Sequence, residues 1–176
     1  MNDRPAADGP ADPMDTIAAQ WRRERPDLDL SALGVLGRLS RAAALVSARV
    51  DAVLAEHGLR GGEFDVLAAL RRAGEPYTLI PSELADTLMM TRAGMTGRID
   101  RLERAGLVER RIDPADRRSF LVALTAEGLR AIDGVLADHA DNLARITGVL
   151  DPETADGLDR ALRLMLRGLE GSPGAG

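Results

Sequence analysis

The chain has 176 residues, 45% of them hydrophobic and 2% aromatic, and a net charge of −5 at neutral pH. That length suits one sizeable domain, or a small domain carrying dimerisation helices, around a core of Leu, Val, Ala and Met. Without cysteine there are no disulfides, thiol redox groups or zinc–thiolate sites, and no run approaches the ~20 apolar residues of a membrane span. The acidic N-terminus lacks the apolar stretch of a signal peptide, so a soluble, cytoplasmic protein with no membrane contact is expected.

Residues 1–13, rich in Ala, Asp, Pro and Gly, read as a disordered N-terminal tail. Residues 14–29 are expected to hold an extra helix and a linker, with Ile17, Ala18 and Trp21 on one helical face. Trp21 is the single tryptophan, and its plain reading is an anchor for that helix. Residues 30–60 predict a dimerisation helix, because Leu36, Leu39, Ala43, Val46, Val50 and Val53 step by three and four up to a stop at Gly58. A helix over residues 61–73 follows, with Phe64, Leu67 and Leu70 inward. It opens a winged helix-turn-helix domain spanning residues 61–125. Residues 126–170 supply C-terminal dimerisation helices, and residues 171–176 a tail. The first of these helices is capped by Thr125 and seamed by Leu129, Ile132, Leu136, His139, Leu143 and Ile146. The second starts at Asp151-Pro152 and carries Leu158, Leu162, Met165 and Leu169. Within its seam, His139 reads either as a packing residue or as a pH switch. The fold class is therefore mainly α with a small β-hairpin wing.

The stretch from Leu79 to Thr125 holds the chemistry. Pro81 suits the first position of a helix, with Leu84 and Leu88 on one face. Ile80 precedes it where Ser or Thr would cap, forfeiting about 1 kcal/mol. A second helix runs from Thr91 as N-cap to Gly106, its buried stripe being Met95, Ile99 and Leu102. The opposite face carries Ala93, Gly97, Asp100 and Arg104 with Arg101 close by, small and charged residues that suit a helix entering a major groove. Arg98 sits only about 60° from the centre of the buried stripe and so flanks the core. An alternating hairpin follows, its turn at Asp113-Pro114-Ala115-Asp116, with Arg117 and Arg118 beside the tip where arginine can enter a narrow minor groove.

From Arg92 to Arg118 there are eight arginines against five carboxylates, a local +3 in a chain of −5. A basic island in an acidic protein is the footprint of a DNA reader. The competing readings are that these arginines merely solvate a surface, or that the domain is a winged-helix protein-interaction module that never touches DNA. The candidate DNA-binding residues are Arg92, Ala93, Thr96, Gly97, Arg101, Arg104, Asp116, Arg117 and Arg118. Long seamed helices flanking a small reading unit predict a homodimer that sets two recognition helices about one DNA turn, roughly 34 Å, apart. No enzyme is indicated and no catalytic residue, metal site or cofactor is assigned. The two histidines, His57 and His139, lie 82 positions apart outside any HExxH arrangement, and no GxSxG, P-loop or dinucleotide-binding element stands in context.

Over residues 30–169 the chain resembles the MarR family of dimeric winged-helix regulators. The carriers are PSELA at 81–85, RIDRLERAGLVERR at 98–111, DPADRRS at 113–119 and LTAEG at 124–128. The segments QWRRERPDLD at 20–29 and EFDVLAALRRAGEPY at 63–77 resemble the PecS/HucR-type, urate-responsive branch of that family. The resemblance implies a ligand-responsive repressor that binds a pseudo-palindromic operator as a homodimer on double-stranded DNA and is released by a small anionic aromatic ligand. Urate, or a different phenolic or aromatic anion, would fill that role. It implies Asp116 and Arg118 as the wing pair, Arg118 entering the minor groove. It also implies Trp21, Asp65, Arg72, Arg98 and Arg110 as ligand-binding residues. A planar anion suits arginine forks, and Asp65 and Arg72, two turns apart, share a helix face. The bland alternative is that Asp65, Arg72 and Arg110 form a salt-bridge network with nothing bound. Gly97 departs from the pattern, which more often has Asn or Ser there, and so withholds a side chain from base reading.

Overall fold

The computed structural model describes residues 12–113 and 119–171. Its elements in chain order are α1 (Pro13–Glu24), α2 (Leu33–Glu56), α3 (Gly61–Arg72), β1 (Thr78–Leu79), α4 (Pro81–Thr87), α5 (Arg92–Arg104), β2 (Val108–Ile112), β3 (Phe120–Leu124), α6 (Ala126–Thr147) and α7 (Pro152–Glu170). The mainly helical architecture with a small wing is as expected. Two units are distinguished, Met1–Ala48 and Arg49–Gly176, with the boundary inside α2. No helix among the described residues is long and apolar enough to cross a membrane.

In the first unit, α1 begins at Pro13, so Asp12 and Pro13 belong to the helix start and not to the tail. The Asp12 carboxylate accepts from the Met14 and Asp15 backbone N–H groups, and Asp15 returns the bond to the Asp12 N–H at 2.9 Å. Arg38 on α2 then grips both carboxylates, Nε on Asp12 at 2.7 Å and Nη2 on Asp15 at 2.6 Å. Their hydrogen bonds to Arg38 and to the backbone hold both carboxyls below the usual carboxylate range. Trp21 is 46% exposed and α1 buries no residue. The ionic grip at the first turn, more than the tryptophan, seats α1 on α2.

The core of the second unit gathers Leu54 from the end of α2, Val66, Leu67 and Leu70 from α3, Leu84 from α4, the α5 stripe, Val122 from β3, and Ile132 and Val135 from α6. Polar contacts tie α6 to its neighbours. Arg71 Nε meets Asp133 at 2.7 Å, His57 Nε2 meets Asp138 at 2.7 Å, and Asn142 donates to the Arg49 carbonyl at 3.3 Å. His139 stacks obliquely on Phe64 at 5.0 Å between ring centroids, and its Nδ1 is buried without a hydrogen-bond partner among the described residues. The ring is thus packed against α3 from within the α6 seam.

The wing is an antiparallel pair in the register Val108↔Leu124, Arg110↔Val122, Ile112↔Phe120. Beyond Ile112↔Phe120, at the end nearer the turn, Asp113 N–H donates to the Ser119 carbonyl at 3.3 Å and Ser119 Oγ to Asp113 at 3.2 Å. A third strand, β1, was not anticipated. It pairs with β3 through Thr78↔Ala123 and Leu79↔Val122, giving the sheet order β1-β3-β2. Two residues are too few to show an alternation.

The wing's C-terminal end explains the LTAEG segment. Thr125 caps α6 by accepting from Gly128 N–H at 2.9 Å, while its own hydroxyl donates to the Gly106 carbonyl at 2.7 Å. Thr125 N–H also reaches the Leu107 carbonyl at 3.1 Å. Gly128 lies flat on that same carbonyl, where a β-carbon would collide with backbone. One Thr and one Gly therefore seat the first turn of α6 on the turn that ends the recognition helix.

Candidate nucleic-acid interface

α4 and α5 form the helix-turn-helix. Ile80 offers no side-chain cap, yet Glu83 accepts from the Ile80 N–H at 3.1 Å, which offsets part of the loss. Thr91 caps α5 through Gly94 N–H at 3.2 Å, and Gly106 follows its end with φ of +73°, the left-handed turn that glycine takes without strain. Met95, Ile99 and Leu102 are each 1% exposed, so the stripe read from spacing is the buried face.

The rest of α5 divides by what each side chain touches. Ala93, Thr96 and Arg104 are exposed and Gly97 is half-buried. Arg104 Nε donates to the Asp100 carbonyl of its own helix at 3.0 Å. A β-carbon on Gly97 would meet only Arg101 Nη1, at an ordinary 3.8 Å. Gly97→Ala is accordingly expected to stabilise the fold by about 0.5–1 kcal/mol through helix propensity alone. Chemical denaturation checks this; a loss of stability would mean the position is more crowded than that single contact implies.

Arg98 leaves the buried edge of α5 and reaches α3. Its Nη1 donates to the Gly62 carbonyl at 3.3 Å and lies 4.0 Å from the Asp65 carboxylate. Gly62 is required for this approach, since any side chain there would strike the Arg98 guanidinium. Burial pushes the Asp65 carboxyl above its usual value, against the opposing pull of Arg98 and Arg72. Three of the five resemblance-derived residues, Asp65, Arg72 and Arg98, thus share one electrostatic neighbourhood. Trp21 lies in the first unit, on α1.

Arg110 is engaged elsewhere. Its guanidinium takes short ion pairs with Asp100 and Glu103 of α5 and lies 5.2 Å from the centre of the Phe120 ring. The Asp100 hydrogen bond leads the causes that raise its pKa. The salt-bridge network envisaged for Asp65, Arg72 and Arg110 is therefore not the one formed: Arg110 clasps the wing to the recognition helix. Arg101, expected to face a groove, points its Nε at Glu63 of α3 at 2.8 Å. Residue spacing alone marks neither Glu63 nor Gly62. The available signal was an acid at the third position of a helix that starts without a capping side chain.

The side chain of Arg92, and the wing-tip residues Asp116, Arg117 and Arg118, fall outside the described residues. Among those described, no cluster of His, Cys, Asp and Glu could hold a metal ion.

Asp65 carries a stability prediction. An acid whose folded pKa is raised binds its proton more tightly in the folded state. Stability therefore falls as pH rises from the ordinary aspartate value through the raised one, and the cost is fully present above it. Asp65→Asn removes that cost. The variant is expected to melt higher than the parent at pH 7, with the gap closing on acidification. Thermal unfolding across pH 3–7 tests this, and a variant that melts lower at pH 7 would mean that holding Arg98 outweighs desolvation.

These elements define a winged helix-turn-helix with an exposed recognition helix braced from behind. Comparison with known proteins gives that class a family. The MarR family model matches residues 57–119. The chain is 44% identical over 126 residues to the HTH-type transcriptional regulator PecS of Dickeya dadantii, covering 72% of this chain and 76% of that one. The protein belongs to the MarR family of transcriptional regulators, which are not enzymes. Among solved structures it is similar to Sco3205 of Streptomyces coelicolor in complex with DNA, with a TM-score of 0.72 and 26% identity over 81% of this chain and 89% of that one. It is also similar to BpsR of Bordetella bronchiseptica, whose DNA binding is regulated by 6-hydroxynicotinic acid. There the TM-score is 0.64, with 27% identity over 74% of this chain and 97% of that one.

Proposed function

We propose that the protein is a cytoplasmic transcriptional repressor that binds a pseudo-palindromic operator as a homodimer and is released by a small aromatic anion, urate being the first candidate. The observation that carries this reading is the placement of Arg98. It belongs to the recognition helix, yet its guanidinium rests on α3 beside Asp65. An anion arriving at Asp65 and Arg72 competes for Arg98 and so pulls on the helix that reads DNA. Moving that helix by an ångström or two would spoil two half-sites together. DNA contact is assigned to Ala93, Thr96, Gly97 and Arg104 with Arg92, and to Asp116, Arg117 and Arg118 of the wing. In support stand the DNA complex of Sco3205 and the relation to PecS. A planar aromatic acid other than urate is the second reading, favoured by 6-hydroxynicotinic acid acting on BpsR.

The test is titration of the protein onto fluorescent duplex from its own upstream region, over a range of salt, with and without urate or 6-hydroxynicotinate. Tight binding that weakens steeply with salt and is released by urate is the expected result. Binding indifferent to both acids would remove the effector and keep the regulator. Absence of binding at low salt would overturn the DNA reading. Arg72→Ala is expected to bind DNA almost as the parent does but to ignore the effector; if the effector still releases it, the site around Asp65 is wrong.

A further inference from the structure

Glu63 is a buried carboxylate with two partners and a third consequence. It stands at the third position of α3, where its Oε2 accepts from the Arg60 N–H at 3.1 Å and supplies the cap that Arg60 cannot. Its Oε1 accepts from Arg101 Nε at 2.8 Å. The Glu63 side chain is 11% exposed and that of Arg101 42% exposed. Burial pushes the Glu63 carboxyl up, but Arg101 and the Arg60 N–H outweigh it and hold the group below its usual value. Arg101 is the cation hydrogen-bonded to it.

Arg101 also lies on the recognition helix, with its neighbours Arg98 and Arg104 bonded to the Gly62 and Asp100 carbonyls, which bear no formal charge. Arg101 has its charge matched by a carboxylate in direct hydrogen-bond contact. Turning Arg101 outward to a phosphate would leave Glu63 buried without its cation, which costs more than one solvent-screened phosphate contact returns. We infer that Glu63 is a positioning residue that withholds Arg101 from DNA and pins the second half of the recognition helix to α3. Phosphate contacts bind every sequence alike, so an arginine kept off the backbone lowers non-specific affinity while leaving base reading to the remaining face.

This inference rests on the DNA-binding reading, and salt dependence separates the two. Binding of the full-length protein to operator duplex and to a random duplex would be followed against salt for the parent, Glu63→Gln, and the double variant Glu63→Gln with Arg101→Gln. Glutamine keeps the volume and an acceptor but drops the charge. Glu63→Gln is expected to steepen the log–log salt slope by about 1.8, the contribution of one more phosphate contact from each protomer of the dimer, and to tighten binding to the random duplex. The double variant is expected to return to the parent slope. An unchanged slope in Glu63→Gln, or a double variant shallower than the parent by about 1.8, would show that Arg101 already meets phosphate and would overturn the inference. Should Glu63→Gln fail to fold, the double variant has no uncompensated charge and decides alone by the same criterion. A parent that binds neither duplex defeats the DNA reading, and this inference with it.

Discussion

Gly128→Ala is expected to destabilise the protein by about 2 kcal/mol, although alanine is the better helix former. Helix propensity alone favours the variant by up to about 1 kcal/mol. Against that, a β-carbon at Gly128 would press into the Leu107 backbone carbonyl and the atoms behind it. A flexible side chain would swing away, but this carbonyl accepts the Thr125 N–H and cannot turn without releasing it. Overpacking costs about 1–3 kcal/mol, and a backbone obstacle that is itself hydrogen-bonded belongs at or above the upper end of that range. The net sign is the test. Urea denaturation showing Gly128→Ala equal to or more stable than the parent would mean that α6 does not seat on Leu107 as described. DNA binding should weaken in step, because the same turn closes α5 and starts the wing.

The larger functional effect is expected from charging the outer face of α7. That helix buries no residue in the single chain, and it exposes Leu158 at 47% and Leu169 at 72%, with Leu164 and Leu166 also open. A leucine gains about 1.5–3 kcal/mol on full burial, so a second copy covering this ridge would be held largely by it. Leu158→Glu combined with Leu169→Glu leaves the isolated fold nearly untouched, because both side chains already meet solvent there. In a dimer the same carboxylates would have to be desolvated without partners. The variant is expected to sediment as a monomer at micromolar concentration, with its helical content retained. Its operator affinity should fall by about 100-fold or more, since one-armed binding loses the avidity of two linked half-sites. A variant that remains dimeric, or that binds operator as the parent does, would place the interface on another face.

Much of the site's scaffold was open to reading from residue spacing. The three apolar residues of α5 at positions three and four apart, Thr91 before them and Gly106 after them, describe a helix by local chemistry alone, and the buried stripe follows from that periodicity. The same holds for Thr125 and Asp151 as caps, and for the alternation that puts β2 and β3 in register. Arg98 could be placed at the edge of the core because 100° per residue leaves it no other position.

What each charged side chain would touch was a different matter. The family resemblance made Arg110 a companion of Asp65, yet the wing carries it back over α5, where it pairs with Asp100 and Glu103. Arg101 has the composition of a groove reader and the partner of an internal tether. Glu63 looked like one carboxylate among 28 acidic residues until the packing of α3 on α5 put it in reach. The sequence by itself determined the helices, their caps, the wing and the family, because those depend on neighbours within a turn or a strand. Only the tertiary structure decided which arginines are occupied. An arginine can span several ångströms to any of several carboxylates, and the choice is made by interhelical packing that no local pattern encodes.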